Sequence, residues 1–410
     1  MTERLYYTDS YLTEFDATVV GHGEGGRVYL DRSAFYPTSG GQPFDRGRLD
    51  TRDGSDGSAG LDVRDVVDEG ERVAHVLTEH DANRLAAGER VTGRVDWARR
   101  FDHMQQHSGQ HLLSAVFSER LGLATLSVHF GAETSTLDLD AAVLTPEQLL
   151  DIERRANELV FENRPVTVAE EQAAEGLRKP SARTGPLRIV SIDSLDRSAC
   201  GGTHVARTGE IGPILLRKLD RVRKSARVEF VCGARATRRA RADYDVLARL
   251  GGQLSASVDD VVDVVSKRLA EQQRDSAALR AARESLDAYQ AAELYARARV
   301  EGGDRPALHV ERRADGGVQD LRSLGLAYIA HPQALFVATL ERPPSILLAT
   351  SADTGVDAGA VLKAALAAVG GRGGGSPRVA QGSVESTEAL GELLRDVSAR
   401  VDAARALRSR

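Results

Sequence analysis

Two short spacings in this 410-residue chain could together hold a metal ion. His107 and His111 stand four apart in His107-Ser108-Gly109-Gln110-His111, and Cys200 and His204 stand four apart in Cys200-Gly201-Gly202-Thr203-His204. Residues four apart on a helix share a face about one turn apart, the separation two imidazoles need to grip one ion. In the second pair, two glycines let the backbone bend tightly enough for both side chains to converge. One thiolate with imidazoles is a soft-to-borderline donor set that favours zinc over magnesium or calcium. Either spacing alone is weak, because surface helices carry His-x-x-x-His by chance. In a chain with only two cysteines and ten histidines, the two together carry more weight. His103 also precedes His107 by four, so spacing cannot choose between these two histidine pairs. His22, His75, His80, His129, His309 and His331 have no such partner and read as surface or core residues, and Cys232 reads as a small buried hydrophobe.

These residues must be carried by regular elements. Residues 102–121 read as a helix, with Met104, Leu112, Ala115 and Val116 apolar among polar neighbours. Residues 1–100 hold short alternating runs, such as Arg27-Val28-Tyr29-Leu30, separated by Gly and Asp clusters, which predicts a small antiparallel barrel or sheet. A second helix starts at Thr145-Pro146-Glu147-Gln148, where Thr145 caps and Gln148 completes a capping box. Residues 255–297 lack Gly and Pro, and Val258, Val262, Val265, Leu269, Leu279 and Leu286 sketch a partial seam on one long helix. That helix is either packed on its own chain or a homodimer contact. Beyond residue 305, strand-like runs such as Leu335-Phe336-Val337-Ala338-Thr339 alternate with helical stretches, as in a small α/β domain.

Composition bounds the class. At ~150 residues per domain the length suggests two to four domains, and 41% hydrophobic residues suffice for cored ones. No apolar run approaches the ~20 residues of a membrane span, and the start lacks the pattern of a secretory signal. Two cysteines allow no disulfide framework, so a reducing cytoplasm is expected. A net charge of -6 argues at first sight against a nucleic-acid binder. Basic residues nevertheless crowd residues 217–241, including Arg217, Arg221, Arg223 and Lys224, where they can meet RNA while acidic faces elsewhere set the total.

Four blocks, in order, resemble the editing domain of alanyl-tRNA synthetase and its free-standing relatives, the AlaX proteins. They are Phe35-Tyr36-Pro37-Thr38-Ser39-Gly40-Gly41-Gln42-Pro43, Met104 to Leu113 around the histidine pair, Cys200-Gly201-Gly202-Thr203-His204-Val205, and Thr208-Gly209-Glu210-Ile211-Gly212. The stretch Gly370 to Gly382 is similar to the glycine-rich motif in the C-terminal domain of alanyl-tRNA synthetase, shared with DHH-family phosphoesterases. No Asp-His-His motif accompanies it, so phosphoesterase activity is not expected. The whole chain looks like the long form of AlaX. The resemblance implies zinc ligation by His107, His111, Cys200 and His204, and sets His103 aside.

It also implies an α+β architecture: a small β-barrel over 1–100, a zinc-containing editing domain over 101–245, a helical linker over 246–300, and a C-terminal glycine-rich domain over 301–410. That last domain, with Arg372, Gly373, Gly374 and Arg378, would bind tRNA or mediate dimerisation. Too few residues precede Phe35 for an aminoacylation domain, so the implied activity is ATP-independent. It is cytoplasmic trans-editing: hydrolysis of serine, with glycine as a second candidate, from mischarged tRNA-Ala. Gly40, Gly41 and Gln42 would wall the amino-acid pocket. Ser33 stands where the family usually has threonine, keeping a hydroxyl to read serine but losing the methyl. Two alternatives stand beside this: a zinc-stabilised tRNA-binding module without catalysis, and editing of another aminoacyl-tRNA, since threonyl-tRNA synthetase editing domains use a similar zinc pattern.

Overall fold

A computed structural model describes residues 1–51, 60–141, 143–172, 175–179, 185–222, 224–302 and 305–406. The chain divides into two compact units, Met1–Leu250 and Gly251–Arg410. No helix among the described residues is long and apolar enough to cross a membrane.

The first unit begins with seven strands in the spatial order Leu61–Val63, Gly47–Thr51, Arg90–Val95, Glu14–Gly23, Arg27–Leu30, Val73–Val76 and Asp65–Asp68. Alternation drives the strands: along Glu14–Gly23, Phe15, Ala17 and Val19 are buried while Glu14 and Asp16 face solvent. The expected barrel is corrected here, because no ladder among the described residues joins the two end strands. Two features explain the open form. The long strand Glu14–Gly23 pairs with Arg90–Val95 through Thr18 and with Arg27–Leu30 from Val19, with a register shift between Val19 and Gly21. The end strands Leu61–Val63 and Asp65–Asp68 are one chain run interrupted at Arg64. The sheet therefore folds over at these corners, and Phe15, Leu49, Val63, Val28 and Val66 share one core.

The helix Trp97–Leu121 follows, capped at its start by the Asp96 side chain and at its end by Gly122 in the left-handed region (φ 67°). Residues 103–117 of this helix are all buried. It packs with the helix Pro146–Phe161, whose Thr145–Gln148 capping box is formed, against a four-stranded antiparallel sheet. In that sheet Ser135–Leu139 and Ser225–Cys232 are central, and Leu137, Val228 and Phe230 join Leu112, Val116 and Ile152 in the core. A separate three-stranded sheet, Val166–Glu171, Leu187–Ile192 and Asp196–Ala199, leads into the Cys200 loop.

Arg100 and Asp45, both fully buried, join the N-terminal sheet region to the long helix. Arg100 Nε donates to Asp45 Oδ2 (2.9 Å) and Nη1 to Ser10 O (2.8 Å). Asp45 in turn accepts from Tyr36 N–H (2.7 Å) and donates its own N–H to Tyr36 O (2.9 Å). The segment between Tyr36 and Asp45, which holds the glycine turn, is thus pinned at its base by a charge on the metal-site helix. A buried pair of this kind specifies geometry more surely than it adds stability.

In the second unit, the 42-residue helix Val261–Gly302 has only Val261, Ala291 and Ala298 buried among its described residues. The seam residues Val262, Leu269, Leu279 and Leu286 are exposed. A five-stranded mixed sheet carries the rest. Ala307–Asp315 runs parallel to Ala334–Arg342, and Pro344–Thr350, Val379–Ser383 and the edge strand Arg372–Gly375 follow antiparallel. Helices cover both faces, which is why Ala334–Leu340 reads as a continuous apolar run.

Candidate metal centre

His107, His111, Cys200 and His204 converge: one donor atom from each lies within 4.8 Å of the others. The helix Trp97–Leu121 carries the first two on one face, with ring centroids 5.3 Å apart. Cys200 and His204 come from the loop after Asp196–Ala199. Cys200 Sγ lies 3.3 Å from both His107 Nε2 and His204 Nε2. His103, one turn earlier on the helix, stays outside the cluster and its Nδ1 is buried without a hydrogen-bond partner.

Each imidazole is held from behind through Nδ1. His107 Nδ1–H donates to Gln42 Oε1 (2.8 Å), His111 Nδ1–H to Asp196 Oδ2 (3.3 Å), and His204 Nδ1 pairs with Ser108 Oγ (3.2 Å). The His107 tautomer follows from its neighbours. Thr203 N–H, a pure donor, points at the same Gln42 atom (3.1 Å), so that atom is the amide oxygen and His107 must donate to it. Gln42 Nε2 then donates to Thr203 Oγ1 (2.8 Å). Three Nε2 atoms and one sulfur face a common point, and metal-ligating histidines are oriented in this way.

The electrostatics favour a Cys200 thiolate, a neutral His204 and a protonated His111, whose proton a bound cation would displace. Burial opposes a Cys200 thiolate, but the His107 and His204 imidazoles hold the thiol well below its usual range. Burial likewise opposes charge on His111, yet Asp196 and Cys200 outweigh it and raise His111 to about 9, while burial pushes His204 down to about 3. A soft thiolate, three imidazoles, short mutual distances and completed supports fit a tetrahedral cation of the zinc type.

Glycines make the approach feasible. Gly40 and Gly41 both have positive φ (58° and 86°), and Ser39 and Gln42 exchange backbone hydrogen bonds of 3.2 and 2.9 Å. This is a two-residue hairpin turn of the kind that needs φ > 0 at both central residues. A Cβ on Gly202 would lie 2.1 Å from His107 Cε1, so the loop can pass the imidazole only as glycine.

A cavity of about 970 Å³ opens beside the cluster, lined by His107, His111, Cys200, Gly40, Tyr36 and Arg188 among others. A neighbouring cavity of about 430 Å³ shares Gly40, Gln110 and His111 and adds Gly41, Thr125, Ser127 and Arg178. Of the residues expected at the amino-acid pocket, Gly40 and Gly41 line these cavities and Gln42 lies behind His107. Ser33 is fully buried, 2.7 Å from His75 Nε2 and accepting from Phe35 N–H (3.1 Å), and neither cavity includes it.

The basic residues are dispersed. Arg217 faces Glu229 and Asp243, each at 3.8 Å, whereas Arg221 and Lys224 are exposed. Arg223 lies outside the described residues. Arg372, Gly373 and Gly374 lie on the edge strand and Arg378 beside it. Gly373 is required by packing there, since its Cβ would sit 2.3 Å from Gln381 O. Asp196, Ser108 and Arg188 escaped sequence reasoning. Asp196 and Ser108 sit inside or next to the motif blocks and could have been suspected, but nothing local marks Arg188.

Residues 187–227 match the family model described as Threonyl and Alanyl tRNA synthetase second additional domain. Residues 10–99 match tRNA synthetases class II (A), and residues 332–403 match the DHHA1 domain. The alanyl-tRNA editing protein AlaX-M of Methanosarcina acetivorans is 36% identical over 240 residues, covering 55% of this chain and 97% of that protein. The alanyl-tRNA editing protein Aarsd1 of Bos taurus is 33% identical over 283 residues, 63% of this chain and 61% of that protein. The alanine–tRNA ligase of Korarchaeum cryptofilum is 32% identical over 404 residues, 93% of this chain but only 43% of the ligase. With almost the full length of an AlaX-M protein matched at that identity, the chain belongs to the alanyl-tRNA editing protein family.

Proposed function

We propose that this aminoacyl-tRNA deacylase is a zinc-dependent trans-editing hydrolase that removes serine, and secondarily glycine, from mischarged tRNA-Ala. One observation carries the reading: a four-donor cluster with every imidazole locked through Nδ1 forms the wall of a cavity beside a glycine turn. The cavity lies within the ~300–1,000 Å³ range of ligand sites.

Hydrolysis of an aminoacyl ester needs a fixed ester, a positioned water and donors for the developing oxyanion. His107, His111, Cys200 and His204 would hold the zinc, which when bound supplies a Lewis acid for the ester or for water. The backbone N–H groups of Gly40 and Gly41 make no hydrogen bond among the described residues, so they are free to meet the ester oxygen. Thr125 and Ser127 on the neighbouring wall donate their hydroxyl protons to Ser114 and Asp138, and Gln110 donates an amide proton to Ser114, so their oxygens are left as acceptors for a serine hydroxyl. Arg221, Arg223, Lys224, Arg372 and Arg378 would meet tRNA phosphates.

A second reading, a tRNA-binding module with structural zinc, draws on the donor count, since four protein ligands close a tetrahedron. Deacylation of Ser-, Gly- and Ala-tRNA-Ala separates the two. Ser-tRNA-Ala should be cleaved fastest and Ala-tRNA-Ala least; no cleavage of any of them would leave the binding module.

A further inference from the structure

The cavity beside the cluster is lined by a fixed cation that the hydrolytic reading leaves unused. Arg188, half-buried on the strand Leu187–Ile192, lines it together with His107, His111 and Cys200. Its Nε donates to Tyr7 O (3.0 Å), and Nη1 donates to Cys200 O (2.7 Å) and Gly202 O (2.9 Å). All three acceptors are neutral carbonyls, and Nη2 makes no hydrogen bond among the described residues. The guanidinium carbon sits 5.6 Å from the Tyr7 ring centroid, within cation–π range. The side chain is therefore immobilised, charged, and left with two N–H donors.

The nearby carboxylates do not neutralise it. Asp68 is held bidentately by Arg4 (2.7 and 2.8 Å), and Asp196 by Arg178 (2.7 Å) and His111. Glu170 lines the same cavity but is exposed, and Lys179, also exposed, adds a second cation.

We propose that Arg188 binds the last internucleotide phosphodiester of the RNA 3′ end, anchoring the terminal nucleotide so that its ester meets the cluster. This rests on the hydrolase reading, and the chemistry of that substrate selects the contact. The amino acid's carboxyl is esterified and its amine is cationic, so the permanent anion close to the ester is the phosphodiester one ribose away. A planar guanidinium with two donors free suits phosphate oxygens.

The test compares wild type with Arg188→Gln and Arg188→Lys on two substrates, Ser-tRNA-Ala and the seryl ester of adenosine, which lacks the phosphodiester. Bound zinc is measured for each protein. Arg188→Gln should raise KM for Ser-tRNA-Ala by roughly tenfold or more, the contribution of a charge-assisted hydrogen bond. It should leave seryl-adenosine hydrolysis within about twofold of wild type and zinc retained, and Arg188→Lys should recover part of the tRNA affinity. An unchanged KM would overturn the proposal. Equal loss on both substrates would place Arg188 at the reacting centre instead, and loss of zinc would make it a clamp for the Cys200 loop. Should wild type cleave neither substrate, the hydrolase reading fails by itself. Binding of an uncharged CCA-ended RNA then decides: the phosphate contact requires Arg188→Gln to weaken binding and to shallow its salt dependence by ~0.7 of a log unit per log unit of salt, and an identical slope would overturn it.

Discussion

Gln42 Oε1 stands 2.8 Å from His107 Nδ1 and, through the Thr203 N–H, is fixed as the acceptor of that pair. A residue at the end of an N-terminal hairpin turn thereby sets the tautomer of an imidazole on a helix of the neighbouring core. Supports of this type are worth ~10–100-fold in metal affinity. Gln42→Ala should weaken zinc retention by that amount, read by titration with a competing chelator, while circular dichroism stays unchanged. Unaltered zinc affinity would remove Gln42 from the centre.

The two glycines of the Cys200 loop should respond differently. An added Cβ at Gly202 would lie 2.1 Å from His107 Cε1 and 2.9 Å from Gln42 Oε1, whereas at Gly201 the nearest atoms belong to Tyr7 at 3.9 Å. Gly202→Ala should displace His107 and abolish stoichiometric zinc binding, and Gly201→Ala should keep it. Equal zinc content in the two variants would contradict the geometry.

Ser33 occupies the core rather than the cavity, with its hydroxyl shared between His75 Nε2 and Phe35 N–H. Ser33→Ala should cost about 1–3 kcal/mol, the usual penalty for orphaning buried polar groups. The ratio of Ser-tRNA to Ala-tRNA deacylation should not move. A stable variant with altered discrimination would return Ser33 to the substrate.

His75 gives stability a pH dependence. Burial lowers it from 6.5 to about 4, despite a hydrogen bond to Val28 O, so the unfolded chain takes up a proton first as pH falls. The stabilisation is complete above pH ~6.5 and is lost as pH drops toward 4. Between pH 7 and pH 5 the loss from this group is on the order of 2 kcal/mol. Buried His103, also lowered to about 4, adds in the same direction. Urea midpoints at the two pH values should fall less for His75→Gln than for wild type; equal drops would exclude His75 as a source.

Spacing alone offers the pairs, each within one turn or one loop, but His103 stands at the same spacing from His107, and the resemblance to AlaX is what selects His111 instead. Gln42 could not be assigned correctly that way. Gly40, Gly41 and Gln42 look like one pocket wall in sequence, but the hairpin turn sends the glycines to the cavity and the Gln42 side chain behind His107. The N-terminal strands show in their alternation, whereas the sheet's failure to close depends on a register shift after Val19 and a break at Arg64. Arg188 leaves no pattern, since its partners are backbone carbonyls far along the chain.

If the His107–His111–Cys200–His204 cluster makes the cavity an aminoacyl-ester hydrolase, deacylation must depend on the metal it holds. The most direct test is the deacylation rate of Ser-tRNA-Ala by the full chain as isolated, after zinc removal by a chelator, and after zinc is restored. The rate should collapse on removal and recover on restoration. Full activity in verified metal-free protein, or none in zinc-loaded protein, would contradict it.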